Sequence, residues 1–212
     1  MIKVSVIIPA YRSHSFIERC LRSLEAQTLK PTDFEIIVVL DGPDELVSNI
    51  ISTKFPGVII ITHEKNFGLP SALNTGLRKS KGQYAVRVDS DDYVETHYLE
   101  YLLYAIEVNP KYAAVACDYI EVDIKENHVR HCNSSIEPIG CGVIFSLQAL
   151  INIGLYDKAF LAREEEELRT RFINAGYDKL HLPLPLYRYR KHSNSITSDT
   201  VLMDYYEDLL LK

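Results

Sequence analysis

The feature that most constrains this chain is the rhythm of its first ninety residues. Short apolar, β-branched runs alternate with amphipathic stretches. Val4-Ser5-Val6-Ile7-Ile8, Glu35 to Leu40, Val58 to Thr62 and Gln83 to Val88 each read as a strand buried on both faces. Between them lie helical segments. Ile17, Cys20, Leu21 and Leu24 share one helical face, with Ser13 or Ser15 as the expected cap. A second amphipathic segment runs from Asp41-Gly42-Pro43 to Lys54. A third spans 69–79, with Pro70 tolerated in its first turn. Strand, helix, strand, helix at this pitch means a mostly parallel sheet with helices on both faces.

Such sheets bind ligands beyond the carboxyl ends of their strands. Here those ends carry Pro9-Ala10-Tyr11, Asp41-Gly42 and Asp89-Ser90-Asp91-Asp92, so three strands deliver polar or turn residues to one edge. The second half is less regular. It reads as a helix over 96–109 and strands over 113–123 and 128–132 around a turn at Lys125-Glu126-Asn127. A break at Gly140-Cys141-Gly142, two helices ending near Gly154 and Gly176, and two last strands, 180–182 and 186–190, complete it.

Composition removes several function classes. The net charge is −6 over 212 residues, whereas a chain built to bind phosphate backbones is normally basic, so nucleic acid is not an expected partner. Cys20, Cys117, Cys132 and Cys141 match no zinc spacing and read as free thiols of a reducing compartment. The opening apolar run is too short for a signal peptide and no stretch reaches a membrane span, so the expectation is a cytoplasmic protein. The apolar and aromatic tail from Val201 to Leu211 reads as a helix packed on its own domain or on another copy. It also leaves room for peripheral contact with a membrane.

Three carboxylates at one strand end repel one another, and a hard divalent cation such as Mg2+ or Mn2+ compensates most economically. The bland alternative is an acidic turn capping the next helix. Asp41 could accept the imide N–H of a uracil-like base, although Asp-Gly after a strand is also ordinary turn chemistry. In Arg163-Glu164-Glu165-Glu166-Glu167, Leu168, Phe172 and Ile173 set the inward face. Glu165 falls near its middle, with Glu164 and Glu166 flanking it and Glu167 pointing away. An inward Glu at a helix start is either a general base or half of a buried ion pair. Arg188 to Ser195 is a basic segment able to meet phosphates, and His192 within it can ligate manganese.

These pieces together resemble the family 2 glycosyltransferases of GT-A fold. They include Val6 to Tyr11, Ser23-Leu24 through Gln27-Thr28, Glu35 to Gly42, Asn66-Phe67-Gly68 with Ala72 to Gly76, and Gly82 to Asp92. Arg163-Glu164-Glu165 with Leu168, and Tyr187 to Ile196, follow in the same order. The resemblance implies one GT-A domain over 1–212, with a nucleotide-sugar half (1–95) and a smaller α+β acceptor half (96–212) that carries the base. It implies inverting hexosyl transfer from a nucleotide-diphosphate sugar, a UDP-sugar first of all. The acceptor would be a saccharide or lipid-linked saccharide, in surface polysaccharide or glycolipid synthesis.

By position, Pro9, Ala10, Tyr11 and Asp41 match the nucleoside pocket, bordered by Asn66 and Gly68. Asp89, with Ser90, opens the Asp-x-Asp motif near ribose and metal. Asp91 matches the metal ligand, His192 a histidine reaching metal or diphosphate, and Glu165 the base. Four departures leave the donor's base open: Leu40 before Asp41, Arg12 for a common asparagine, Leu73 for a frequent arginine, and Glu164-Glu165 for Glu-Asp. A sugar-phosphate nucleotidyltransferase would need a Gly-rich loop that Pro9 to Arg12 lacks. A non-catalytic nucleotide-sugar-binding module would leave Glu165 in solvent or locked to an arginine.

Overall fold

The computed structural model describes residues 1–192 and 200–210. Strands β1 (Val4–Ala10), β2 (Phe34–Leu40), β3 (Ile59–Thr62) and β4 (Tyr84–Arg87) lie parallel in the order β3-β2-β1-β4. Side chains alternate across a strand, so each uninterrupted apolar run feeds two cores. Val6, Ile8, Val38 and Leu40 pack with α1 (Ile17–Glu25), α2 (Glu45–Lys54) and α4 (Tyr98–Val108). Ile7, Ile37 and Val39 pack on the other face with α3 (Leu69–Lys79), α5 (Leu147–Asn152) and α6 (Glu164–Asn174). The sheet is thus wound on both faces, as the sequence predicts.

The connections follow local chemistry. The Asp44 carboxylate accepts from Val47 N at 3.0 Å and caps α2. At α1 the expected serine cap is absent. Phe16 stands at the N-cap, and the Ser13 carbonyl accepts from Phe16 and Ile17. Gly76 lets α3 press onto β1, where an added Cβ would meet Ile7 Cγ2 at 2.5 Å.

Beyond β4 the sheet turns mixed. β8 (Val143–Ser146) pairs antiparallel with β4, and β6 (Ala114–Val122) antiparallel with β8. β9 (Lys179–Arg190) runs parallel to β6, and β5 (Tyr93–Val94) antiparallel to β9. β7 (His128–Cys132) forms the anticipated hairpin with β6, and Asp123 accepts the backbone N–H groups of Lys125 and Asn127 at its turn. The two expected last strands are one. Pro183 and Pro185, which have no N–H to donate, fall where the β6–β9 register shifts, so the pairing skips rather than stops.

The final helix, α7 (Thr200–Leu210), rests on the start of α6. Arg163 donates to the Met203 carbonyl, Glu166 and Glu207, and Phe160 meets Tyr206 at 5.9 Å. Among the described residues no helix is long and apolar enough to cross a membrane. Ser193 to Ser195 of the basic segment, and Leu211 of the tail, lie outside the described residues.

Candidate active site

The ends of β1, β2 and β4 open into a cleft of about 790 Å³. Pro9, Ala10, Tyr11, Asp41, Asn66 and Gly68 line one side. Asp89, Ser90 and Asp91 form the strand-end floor, with Arg190 and His192 beside them. Gly140, Cys141 and the segment from Leu161 to Glu165 close the far wall, and Met203 of α7 reaches its rim. Pro9, Ala10, Tyr11, Asp41, Asn66, Gly68, Asp89, Ser90, Asp91, Glu165 and His192 thus border one space, and Asp92 does not.

On the first side Tyr11 is half exposed, with the Arg12 guanidinium 5.0 Å from its ring centre. Asp41 is buried and heavily engaged. Its Oδ1 accepts from Phe67 N (2.9 Å) and lies 2.8 Å from His63 Nδ1, and its Oδ2 accepts from Gly68 N (2.8 Å). His63 Nε2 continues to Thr75 Oγ1 at 2.9 Å. The carboxylate therefore orders the loop carrying Asn66 and Gly68, whatever else it meets. The Asn66 side chain adds a local turn bond to Gly68 N.

The acidic cluster divides its labour. Asp89 takes a two-pronged contact from Arg87, Nε to Oδ1 at 2.6 Å and Nη2 to Oδ2 at 2.9 Å, and accepts from the Cys141 thiol at 2.9 Å. Asp92 turns inward and is 2% exposed. It accepts from the Tyr187 hydroxyl (2.8 Å) and Arg190 N (2.7 Å), and burial pushes its carboxyl well up. Asp91 alone faces the cleft without an arginine, its Oδ2 2.7 Å from His192 Nε2. Burial and the neighbouring Asp89 charge raise its pKa. Arg190 Nε holds the Asp91 carbonyl at 2.8 Å, and Phe16 stacks on His192 at 5.3 Å.

Asp91 and His192 offer a divalent cation one carboxylate oxygen and one imidazole nitrogen, 2.7 Å apart and both on the cleft. Asp89, Asp92 and Cys141 also bring ligand atoms within 4.8 Å of one another. That group is interior, already hydrogen-bonded, and its thiol is pushed up by burial and by Asp89, so it suits a hard cation poorly.

On α6 the buried side chains are Glu164, Leu168 and Phe172, while Ile173 is 61% exposed. The inward face is therefore centred one residue earlier than the sequence phase suggests. Glu164 (3% exposed) takes the buried place and bonds Arg87 Nη1 at 2.7 Å. Glu165 sits at the edge of that face and looks into the cleft. Burial, then the Glu164 charge, raises its pKa to about 7. Glu166 pairs with Arg163 and Glu167 with Arg171. Arg87, Glu164 and Tyr187 were missed as site residues. The available sign was Arg87 itself, a lone charge inside an apolar strand, which demands a partner.

Residues 5–172 match the family described as Glycosyl transferase family 2. This chain belongs to that family. It is 41% identical over 108 residues to the uncharacterized glycosyltransferase EpsJ of Bacillus subtilis (strain 168), which covers 50% of this chain and 31% of EpsJ. It is 28% identical over 210 residues to the amylovoran biosynthesis glycosyltransferase AmsE of Erwinia amylovora, covering 91% of this chain and 77% of AmsE. Among solved structures, S. aureus TarS 1-349 in complex with UDP-GlcNAc superposes with a TM-score of 0.79 at 21% identity, over 93% of this chain and 61% of that one. The mannosyltransferase PcManGT from Pyrobaculum calidifontis, in complex with GDP-Man and Mn2+, gives 0.75 at 18%, over 95% and 60%. The fold is the GT-A type shared with such structures. The chain spans about a third of EpsJ's length and about three fifths of the TarS chain's.

Proposed function

We propose that this chain is an inverting, metal-dependent glycosyltransferase domain that moves a hexosyl group from a nucleotide-diphosphate donor, a UDP-sugar first of all, to an acceptor hydroxyl. The observation that carries this reading is one cleft lined both by Glu165, a carboxylate of pKa about 7, and by the Asp91–His192 pair. A general base works best when its pKa lies near the working pH.

The side carrying Tyr11, Asp41 and the ordered loop would hold the nucleoside, with Asp89 and Ser90 toward the ribose. Glu165 takes the proton from the acceptor hydroxyl as that oxygen attacks the anomeric carbon. The bond from that carbon to the diphosphate oxygen breaks on the opposite side, which inverts the centre. Asp91 and His192 would hold Mn2+ or Mg2+, which when bound supplies positive charge for the leaving diphosphate.

Acceptor chemistry follows the relatives rather than the cleft. A saccharide or lipid-linked saccharide of a surface polymer agrees with AmsE's role in amylovoran biosynthesis. On this reading the chain works in the cytoplasm, at the inner face of the membrane when the acceptor carries a lipid. A sugar-phosphate nucleotidyltransferase is disfavoured by the glycine-free turn after β1. A non-catalytic binding module is disfavoured because Glu164, and not Glu165, is the residue locked to an arginine.

The test is calorimetry and donor turnover over a panel of UDP-, GDP- and dTDP-sugars with and without Mn2+. Mn2+-dependent binding of one donor, with release of its nucleoside diphosphate in the presence of saccharide acceptors, is expected. Absence of metal-dependent binding across the panel would overturn the proposal.

A further inference from the structure

Arg87 is the only charge within β4, and its largely buried guanidinium lies between two carboxylates. Nε and Nη2 grip Asp89, while Nη1 reaches Glu164 Oε1 at 2.7 Å. The contact joins residues 77 positions apart and spans from the strand end carrying Asp89 and Asp91 to the first turn of the helix carrying Glu165. The backbone at Gly140 is wedged beside it. A Cβ there would fall 2.6 Å from Arg87 Nη1 and 3.3 Å from Glu165 Cβ. Gly140 thus leaves no room for a side chain between itself and Arg87 and Glu165.

Stability alone does not account for this arrangement. Burying an ion pair costs desolvation that its attraction barely repays, and apolar side chains of similar volume usually serve a core as well or better. What a guanidinium adds is direction: a planar fork fixes both partners at defined angles. Here its partners are the strand end after β4 and the first turn of α6, both of which line the cleft.

We propose that Arg87 and Glu164 form the positioning pair of the catalytic centre, holding Glu165 at a fixed place relative to the Asp89–Asp91 strand end. The inference rests on the glycosyltransferase reading for its catalytic half. It also has an electrical side. The groups facing Glu165 are Arg87 from β4 and Glu164 and Glu166 from α6, with Cys141 and Tyr156 close behind. Burial raises the Glu165 pKa most, Glu164 adds to that and Arg87 opposes it, so the pair tunes the pH at which the base ionises.

The experiment uses Glu164→Gln, which keeps the volume but loses the charge that holds the Arg87 fork, and Arg87→Lys, which keeps the charge but loses the fork. Three readouts are taken: the Glu165 midpoint by carbon-13 NMR of labelled glutamate, assigned with Glu165→Gln; the Kd of UDP with Mn2+; and turnover of UDP-GlcNAc, or of whichever donor the panel identifies. Glu164→Gln is expected to lower the Glu165 midpoint by about one unit. It should cut kcat at pH 8 by about tenfold to a hundredfold through misplacement, with Kd for UDP within about threefold of wild type. Arg87→Lys should lose kcat comparably with a smaller change of midpoint. Wild-type kcat with an unmoved midpoint in Glu164→Gln would overturn the positioning role. A wild-type protein that neither binds nor turns over any nucleotide overturns the glycosyltransferase reading instead, and the NMR midpoints still report on the pair.

Discussion

His192 Nε2 and Asp91 Oδ2 stand 2.7 Å apart, although 101 positions separate the two residues in the chain. Two polar groups so placed at a cleft wall can satisfy each other or share a cation. Asp91→Ala is expected to abolish Mn2+-dependent binding of UDP, and His192→Ala to weaken it by about tenfold or more. Isothermal calorimetry with and without Mn2+ measures both. Equal affinity with and without the metal in the wild type would remove the basis of this prediction.

Glu165 leads to a pH prediction with two parts. Transfer requires the ionised carboxylate, so the rate should rise with pH and reach half its maximum near 7. Glu165→Gln should stop transfer and leave donor affinity largely intact. Stability runs the other way. The folded state holds the Glu165 proton up to about 7, whereas an ordinary glutamate releases it near 4.5. The folded chain is therefore favoured by protonation, and this contribution is lost as pH rises through that window. Glu165→Gln should accordingly raise the melting temperature relative to wild type at pH 8, with the gain gone by pH 4. Thermal scans at the two pH values suffice.

Asp41 predicts a structural penalty alongside a binding one. Asp41→Ala strands the Phe67 N–H and leaves Gly68 N with only Asn66 and His63 with only Thr75, at a cost of about 1–3 kcal/mol. Urea unfolding should register the loss, and hydrogen exchange should show faster Phe67 and Gly68 amides. If those amides keep their protection, the carboxylate does not hold the loop.

Gly76 tests the contact of α3 with β1. Alanine improves helix propensity by about 1 kcal/mol. The new Cβ, however, would lie 2.5 Å from Ile7 Cγ2 and 3.4 Å from Val39 Cγ2. Overpacking of this kind costs about 1–3 kcal/mol, so Gly76→Ala is expected to destabilise on balance. Chemical denaturation decides the sign.

Arg163 predicts the behaviour of the last helix. Arg163→Ala removes its contacts to the Met203 carbonyl, Glu166 and Glu207. Because Glu207 is 54% exposed, that ion pair contributes little by itself, and the global stability change should be small. Faster exchange of α7 amides, with α6 unchanged, is the expected signature.

The parallel half of the fold was legible because its strands are continuous β-branched runs, a pattern that only double-sided burial explains. β5 was not, since two residues directly after an acidic cluster carry no period. β9 looks like two strands in the sequence because Pro183 and Pro185 normally end strands, and only the register shift against β6 shows how pairing continues. The residues gathered at the cleft were readable from strand ends. Their internal bonding was not, because Arg87 meeting Glu164 and Asp41 meeting Phe67 and Gly68 are tertiary facts with no local spacing. The α6 phase slipped by one residue because Ile173, apolar in sequence, lies on the surface.

The long final strand has a consequence for biogenesis. Asp92 is held by Tyr187 and Arg190, and Asp91 by Arg190 and His192. A nascent chain released only through residue 178 would already own every carboxylate of the cluster and none of these partners. Because chains emerge from the amino end, Asp91 and Asp92 must wait for β9 to thread beside β6, while Asp89 already has Arg87 at hand. The hydrogen-bonded form of this strand end should therefore be among the last features of the cleft to assemble.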